Sequence, residues 1–353
     1  MGIDRGRAGR GAAEAGGFPL RAGSITMLEA FPSLGAGHLG VVDAGSRDGV
    51  HPIFRGLAPL LEVVGFEPDA EECRRLQDEA RRSGRFASLA YVPCALGETD
   101  RRQVLQLSRS RGASSFYAPN RGLLERFPDA GRFDVVATAS VPVRSLDSLM
   151  ADPAVPMPRH LDFLKVDTQG SELEILRGAR QALQTQVVGV EVEVEFARLY
   201  ANQPLFRDID AFLEACGFTL FKLRRQEWVR RTFAHRPHLS AGQLVFGDAL
   251  YLRDPLAPAA SWRPQDARQA EALVLLALLY DLHDFALEVL STPHLAEGVD
   301  VEGLRRYVLR RSRRLHSLVE RLRVAKALLG DGDRLTHYAR RWSRGDENFY
   351  SAA

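Results

Sequence analysis

The stretch GVVDAGSRDGV, at residues 40–50, places an acid and two glycines directly after a short apolar run. The run is typical of a buried strand, so Asp43 and Gly45 stand where that strand ends. Glycine lets a bound molecule approach the backbone closely, whereas the carboxylate of Asp43 repels a pyrophosphate and attracts a cation. The segment therefore predicts a site for a ligand that has a positive centre and also carries hydroxyl and amine groups.

Two further acids end two further apolar runs. Glu67 ends LLEVVGFE (60–67), and Asp167 follows the strand within HLDFLKVDTQG (160–170). An acid at the position of Glu67 binds ribose hydroxyls in nucleotide-binding folds. Residues 40–50 lack the G-x-G-x-x-G triplet that receives the pyrophosphate of NAD. The pattern favours S-adenosylmethionine, which has a sulfonium, a ribose and an amino-acid tail, over NAD, and an NAD-type oxidoreductase is kept as the alternative.

Segments typical of strands and helices alternate between residues 39 and 252. The predicted strands are 39–45, 60–67, 89–97, 103–107, 139–143, 160–167, 187–196, 217–223 and 242–252, and the predicted helices are 50–60, 70–84, 171–185 and 205–216. This alternation predicts an α/β fold with a mostly parallel sheet covered on both faces. Valines alternate with Glu191, Glu193 and Glu195 within 187–196, which predicts one buried and one polar face for that strand. Ligands bind such sheets beyond the carboxyl ends of the strands.

The chain divides into three predicted parts. Residues 1–26, rich in Gly, Ala and Arg, form a flexible leader, residues 27–253 form the main domain, and residues 254–353 form a helical extension. The prolines of 254–265 mark the second boundary, and helices are expected at about 267–291, 301–329 and 333–343. Arginines crowd one side of the helix at 301–329, which indicates a solvent-facing surface, a dimer contact between copies of this chain, or a surface for an anionic partner.

Composition narrows the class of protein. The chain has 353 residues, 45% hydrophobic and 26% charged, with a net charge of +2. Such a balance is typical of soluble globular proteins and gives no reason to expect a nucleic-acid partner. The longest apolar run, ALVLLALLY (272–280), is about half of the ~20 residues that a membrane span needs, and no secretory signal is found. We expect a cytoplasmic protein without a membrane span, and no spacing diagnostic of metal ligands is present.

The chain resembles the FkbM-type family of S-adenosylmethionine-dependent methyltransferases, which has the class I methyltransferase fold. The resemblance extends over roughly residues 39–252, and its blocks are residues 40–50, GFEPD (65–69), CALGETD (94–100), GASSF (112–116), VPVRSLDSL (141–149) and DFLKVDTQGSELEILRGA (162–179). Two positions depart from the family pattern. Arg47 stands where the family usually has asparagine, and Gln169 stands where it usually has glutamate.

The resemblance implies a Rossmann-like sheet of seven strands and methyl transfer, most often to a hydroxyl on a sugar, a glycan or a secondary metabolite. It implies that Gly45 and Ser46 approach the methionine part of the donor and that Glu67 binds its ribose. Ala95 and Leu96 would then flank the adenine, and Asp167 would lie beside the methyl donor. The complete predicted cofactor-binding set is Asp43, Gly45, Ser46, Gly49, Glu67, Pro68, Ala95, Leu96 and Asp167.

A hydroxyl acceptor is a weak nucleophile, so a general base is expected to accelerate the transfer. The candidates are Asp167, Glu193 or Glu195 at the end of the next strand, and His235 or His238 in the insertion 226–242. For Asp167, a role in positioning the cofactor is as compatible with the pattern as a role as the base. The departures at Arg47 and Gln169 keep open a third hypothesis, a binding module that holds S-adenosylmethionine without turnover.

Overall fold

The computed structural model describes residues 27–235, 242–258, 260, 262–310 and 312. Strands are numbered here in chain order: β1 (Leu39–Ala44), β2 (Leu61–Phe66), β3 (Ser88–Val92), β4 (Ala95–Leu96), β5 (Arg101–Ser108), β6 (Val135–Arg144), β7 (Phe163–Val166), β8 (Gly189–Glu195), β9 (Thr219–Trp228) and β10 (Gln243–Leu252). The helices are α1 (Met27–Ala30), α2 (Pro32–Gly37), α3 (Ala70–Ser83), α4 (Arg121–Leu124), α5 (Leu146–Met150), α6 (Glu172–Gly178), α7 (Arg180–Thr185), α8 (Phe206–Ala215), α9 (Ala267–Leu279) and α10 (His283–Leu290).

Seven strands form the central sheet, in the spatial order β3-β2-β1-β7-β8-β10-β9. The pairs β2–β3, β1–β2, β1–β7 and β7–β8 are parallel, and β10 runs antiparallel to both β8 and β9. Every residue of β1 and β2 is buried, as expected for parallel strands that are covered on both faces. The predicted fold class, a mostly parallel α/β sheet of seven strands, is confirmed.

Two hydrophobic clusters cover the two faces of this sheet. One packs Leu34 of α2 and Leu276 of α9 against the Phe163 side chain of β7. The other packs Leu176 of α6 and Leu213 of α8 against the opposite face. The hydrophobic core thus lies on the two faces of the sheet, and the loops that follow the carboxyl ends of the parallel strands lie at its edge.

A second, smaller sheet stands beside the carboxyl ends of the main strands. It has the order β4-β6-β5, with β4 parallel and β5 antiparallel to β6. The sequence pattern predicted one strand over 89–97, but the chain leaves the main sheet after β3 and enters the second sheet at β4. Pro93 separates them, and a proline cannot donate a backbone hydrogen bond to continue the ladder.

The described part of the C-terminal extension packs directly on the main sheet. All residues of α9 from Gln269 to Leu279 are buried, and they share one hydrophobic cluster with β1, β2 and β7. The single helix predicted for 267–291 is wrong, because α9 ends at Leu279. Asp281 adopts a left-handed φ of 58°, and Leu282 N donates to Ala277 O at 2.8 Å, which is a Schellman-type helix end. Aspartate tolerates this conformation better than most residues.

Some of the predicted organisation lies outside the described residues. This applies to the leader 1–26, to His238, and to the predicted helices beyond residue 312, with most of their arginines. The division into three parts stays a prediction. Among the described residues, no helix combines the length and the apolar character needed to cross a membrane.

A buried ion pair joins the extension to the sheet, and its loss should destabilise the fold. Arg268 Nη1 donates to the two carboxylate oxygens of Asp162 at 2.9 and 2.8 Å, and Asp162 is fully buried. Arg268→Leu leaves that carboxylate without its cation, so we expect the free energy of unfolding to fall by about 3 kcal/mol at neutral pH. Chemical denaturation measures this change.

The same variant should show a characteristic pH dependence. Burial already raises the pKa of Asp162, and Arg268 opposes that rise. Without Arg268 the folded protein takes up a proton that the unfolded chain releases, so the loss of stability should shrink as the pH falls. The control is Arg55→Leu, at an exposed arginine, and a loss of similar size there would contradict the argument.

Candidate active site

A cavity lies where the carboxyl ends of β1, β2 and β7 face the second sheet. Six of the predicted cofactor residues line it, namely Gly45, Glu67, Pro68, Ala95, Leu96 and Asp167. Other lining residues were not predicted as site residues: Arg47, Asp48, Phe66, Asp69, Leu105, Leu107, Arg111, Gly112, Ser114, Phe116, Thr168, Gln169 and Ser171. Residues distant in sequence meet here because parallel strands end at the same edge.

Gly45 allows the ends of three strands to come together. Its φ is 85°, and a Cβ at this position would lie 2.0 Å from the carbonyl oxygen of Asp167. Its backbone N–H also donates to Phe66 O at 3.1 Å, which ties β1 to β2. A side chain here would overlap the Asp167 carbonyl, so only glycine lets the two backbones approach. We call this turn, which lines the cavity, the Gly45 cradle.

Glu67 is a buried carboxylate with one oxygen already anchored. It is 5% exposed, and its Oε1 accepts a hydrogen bond from Asp69 N at 2.8 Å. Burial raises the pKa of this carboxyl above its usual range, and the Asp69 hydrogen bond and the Arg47 charge oppose the rise. A ligand that donates two hydroxyl groups, such as a ribose, would offset this desolvation, because buried carboxylates need hydrogen-bond donors.

The opposite part of the cavity is apolar. Ala95 and Leu96 of β4 stand on one side, and Leu105, Leu107 and Phe116 of the second sheet and its loop complete the wall. The sequence showed 103–107 as a strand and Phe116 within GASSF, but it did not show that these side chains face the cavity. A flat adenine suits a slot of this kind, since aromatic rings gain from burial against apolar side chains.

Three of the predicted cofactor residues do not line the cavity. Asp43 is buried, and its Oδ1 lies 3.5 Å from Lys165 Nζ. Ser46 is also buried, with its Oγ directed at Gly65, where a Cβ would lie 2.6 Å away. Gly49 supplies a left-handed turn with φ of 79°. Their roles in cofactor binding stay predictions, and their observed contacts shape the loop that carries Gly45.

Asp167 lines the cavity, and Lys165 and Gln169 lie close to its carboxylate. Its side chain is 40% exposed, and its Oδ2 lies 3.7 Å from Lys165 Nζ. Gln169 Nε2 donates to Asp167 Oδ1 at 3.3 Å and to Glu193 Oε2 at 2.8 Å, and Gln169 Oε1 accepts from the Tyr200 hydroxyl at 3.2 Å. The amide of Gln169 thus links the two acidic strand ends, a role that a glutamate could fill only by carrying a proton.

Glu172 shapes the loop that presents these groups. Its carboxylate accepts hydrogen bonds from Thr168 N at 2.8 Å and from Gly170 N at 2.9 Å. Gln169 between them has a left-handed φ of 60°, a conformation that is costly for a residue other than glycine. The side chain of Glu172 compensates by satisfying the backbone donors of the turn.

The face of β8 predicted to be polar is buried. Glu191, Glu193 and Glu195 are buried, as are the valines that alternate with them. Burial, followed by the charges of Asp167 and Glu195, raises the pKa of Glu193 well above its usual range. On β10, paired with Glu193, Asp248 has a pKa raised to about 7 by burial and by Glu191.

The structure describes one of the two histidine candidates, His235. His235 is exposed and follows a short 3₁₀ segment at Arg231–Phe233. Among the described residues it has no hydrogen bond to any side chain of the cavity, and its role as a base stays a prediction. Within the same part of the chain, no group of three or more His, Cys, Asp or Glu side chains is arranged to hold a metal ion.

The residues present fit S-adenosylmethionine. The Gly45 cradle, the buried Glu67 and the apolar side chains line one cavity, which offers partners for the methionine, ribose and adenine parts of the donor. The carboxylates of Asp43 and Asp167 add negative charge near the cradle, where a sulfonium gains most from it.

The Gly45 cradle can be tested by adding one methyl group. Gly45→Ala should abolish S-adenosylmethionine binding in calorimetry, because the Cβ would overlap the Asp167 carbonyl. Gly84→Ala is the matched control, since Gly84 has a positive φ of 54° with no atom within 4 Å of its added Cβ. The control should cost about 1 kcal/mol of stability and retain binding. Normal donor binding by Gly45→Ala would contradict the assignment.

Asp248 predicts how the free energy of unfolding depends on pH. Its folded-state pKa of about 7 lies above the ordinary value, so the folded protein holds a proton that the unfolded chain releases. This contribution is complete in acid and is lost as the pH rises through 7. The wild type should therefore lose about 2 kcal/mol more unfolding free energy between pH 5 and pH 8 than Asp248→Asn. The exposed Glu227→Gln serves as control, and equal pH dependence in all three proteins would refute the prediction.

The sequence and structure were compared with known proteins. A protein called Methyltransferase 1, from the fungus Beauveria bassiana (strain ARSEF 2860), is 24% identical over 195 residues, which are 53% of this chain and 75% of that protein. The crystal structure of an FkbM methyltransferase from Methylobacillus flagellatus KT shares 17% identity with a TM-score of 0.35, over 61% of this chain and 43% of that one. Magnesium protoporphyrin IX methyltransferase from Synechocystis PCC 6803, with bound SAM, shares 10% identity with a TM-score of 0.31, over 66% and 87%.

The family model decides the assignment. The model described as the methyltransferase FkbM domain matches residues 43–220, about half of the chain. The match begins at Asp43 and includes Gly45, Glu67, Asp167 and the Gln169 turn. The chain belongs to the FkbM family of methyltransferases, whose methyl donor is S-adenosylmethionine.

Proposed function

We propose that this methyltransferase transfers the methyl group to a hydroxyl on a sugar, a glycan or a secondary metabolite. The observation that supports a hydroxyl acceptor is the placement of Asp167. Its carboxylate lines the cavity, is 40% exposed, and is oriented by Lys165 and Gln169. A hydroxyl placed beside it finds an oriented hydrogen-bond acceptor for its proton.

S-adenosylmethionine, when bound, supplies a methyl group on a sulfonium that is open to in-line attack. The protein contributes position and charge: the Gly45 cradle and Glu67 fix the donor, and Asp167 orients the acceptor hydroxyl and draws its proton away. Orientation of the two reactants accounts for a large share of such an acceleration. A general base adds about 10²–10⁴-fold.

Asp167 is a better base than the other candidates. Glu193 is buried, its pKa is raised well above the usual range, and its Oε2 already accepts from Gln169. A carboxyl that holds its proton cannot remove another. His235 has no described contact that would bring it to the cavity. We therefore assign the role of base to Asp167. Glu193 helps to position Asp167, because both accept a hydrogen bond from the Gln169 amide.

The two alternatives fit less well. Membership of a methyltransferase family excludes the NAD-type oxidoreductase. A binding module without turnover was suggested by Arg47 and Gln169, but both residues have specific contacts here. Arg47 Nη1 lies 3.4 Å from Asp69 Oδ2 at the edge of the cavity, and Gln169 orients Asp167. Neither residue blocks the cavity, and we infer that turnover is retained.

Asp167→Asn tests the proposal. With methyl-labelled donor and exopolysaccharide, cell-wall or small-metabolite fractions, kcat should fall about 10²–10⁴-fold, because an amide cannot accept the proton. The affinity for S-adenosylmethionine should fall by much less than kcat, because the variant removes one charge near the sulfonium but keeps Glu67 and the Gly45 turn.

Glu67→Gln is the complementary variant, and it should weaken donor binding while acceptor turnover at saturating donor is kept. A wild-type enzyme that labels no fraction while it binds the donor would favour the binding module. Full turnover by Asp167→Asn would remove the base role.

A further inference from the structure

Four arginines surround a group of aromatic rings beyond the carboxyl ends of β8 and β9 and the amino end of β10. We call them the arginine patch, and its members are Arg126, Arg132, Arg230 and Arg231. They come from the segment after α4 and from the end of β9, and Arg231 N donates to Arg126 O at 2.9 Å. Segments about a hundred residues apart in sequence therefore bring these four arginines to one region of the protein.

Aromatic rings support the patch from below. Trp228 meets the Phe127 ring edge-on at 5.3 Å and the Phe133 ring at 6.3 Å between centroids. The Arg132 guanidinium lies 4.8 Å from the Phe133 centroid and 4.9 Å from that of Trp228. A guanidinium that stacks on a ring keeps its N–H groups directed outward in its own plane, where they are available to an anion.

The positive charges are not neutralised by the surrounding acids. Arg126 and Arg231 are exposed and form no ion pair within the part of the chain that the structure describes. The nearby carboxylate of Asp134 lies 2.8 Å from Arg121 Nη1, and Glu125 lies 3.5 Å from Arg121 Nε, outside the patch.

Arg230 carries an independent sign of a missing ligand. Its guanidinium lies 4.6 Å from the Phe127 centroid, and its Nη2 donates to Gln243 Oε1. Its Nη1 is buried and has no hydrogen-bond partner among the residues that the structure describes. A buried charged donor without an acceptor is costly, and an oxyanion at this point would satisfy it.

A short series of contacts connects the patch to the active site. The Phe133 and Tyr200 rings lie 5.9 Å apart, the Tyr200 hydroxyl donates to Gln169 Oε1 at 3.2 Å, and Gln169 donates to Asp167 at 3.3 Å. Three side chains, Phe133, Tyr200 and Gln169, therefore lie between the patch and the acid at which the acceptor hydroxyl is expected.

We propose that the arginine patch binds an oxyanion, a phosphate or a carboxylate, carried by the methyl acceptor, while the acceptor's hydroxyl lies at Asp167. This assignment of an anionic acceptor rests on the proposed function. Arginine matches both oxyanions through paired N–H···O bonds, so the chemistry is shared and the two sources are separated by experiment. The net charge of +2 over the whole chain makes the patch a local feature, suited to one anionic group or a few.

The test uses the full-length chain saturated with S-adenosylhomocysteine, so that the cofactor cavity is closed to the probes. Inorganic pyrophosphate and trigalacturonate are titrated by calorimetry at low ionic strength. We expect the wild type to bind at least one of them and the double variant Arg126→Gln/Arg231→Gln to bind it at least about tenfold more weakly. The control Arg82→Gln/Arg85→Gln removes the same charge beside β3, at the opposite edge of the sheet, and should bind like the wild type.

The outcomes are distinct. Pyrophosphate binding identifies a phosphate-bearing acceptor, and trigalacturonate binding identifies a uronate-bearing one. No binding of either probe, or equal weakening in the control variant, overturns the proposal. Tighter binding of a single-stranded RNA dodecamer than of both probes also overturns it, because the patch would then serve a nucleic acid. Transfer of the labelled methyl group by each protein is measured separately, so a failure of the proposed methyl transfer is recognised independently of the patch.

Discussion

A single buried ammonium group holds the active-site end of the sheet together. Lys165 of β7 pairs in register with Asp43 of β1, and its Nζ lies 3.5 Å from Asp43 and 3.7 Å from Asp167. Burial lowers the pKa of this lysine, but the acids around it outweigh burial and raise the pKa overall. The lysine stays charged, and it joins the acid beneath the glycine turn to the acid that faces the cavity.

The rest of the site depends on that balance. Acids outnumber cations at the ends of β7, β8 and β10, and burial leaves Glu193 and Asp248 with raised pKa values. The amide of Gln169 can donate to two neighbouring carboxylates without adding charge. A glutamate at this position would add another negative charge to a region already dominated by them. The presence of Gln169 therefore agrees with a working site in which the Asp167 carboxylate is available to the acceptor.

If the proposed role of the arginine patch is correct, the acceptor meets two regions of opposite charge. The acids lie around the donor cavity, where a sulfonium is expected, and the arginine patch lies beyond Tyr200. An acceptor with a hydroxyl at one end and an oxyanion at the other would be oriented by this separation of charge. Orientation by opposite charges adds specificity as well as affinity. The aromatic rings under the arginines keep that second region in place.

The sequence alone was enough for the fold class, for the strand ends that carry Gly45, Glu67 and Asp167, and for the family. These features are local: an apolar run, an acid and a glycine adjacent in the chain, repeated at strand ends that a parallel sheet brings to one edge. The sequence predicted less well those features that depend on contacts between segments distant in the chain. Glu193 was predicted to lie on a polar face, but it is buried, because period-two alternation reports polarity along a strand and not what covers it.

Only the tertiary structure decided which polar groups meet. Asp43 turned out to pair with Lys165 and not to line the cavity, and Leu105 and Phe116 line it because a second sheet stands beside β4. The arginine patch joins residues 126 and 231, whose proximity no local pattern encodes. Side-chain contacts of this kind depend on packing between distant segments, and the same residue types in sequence are compatible with many such arrangements.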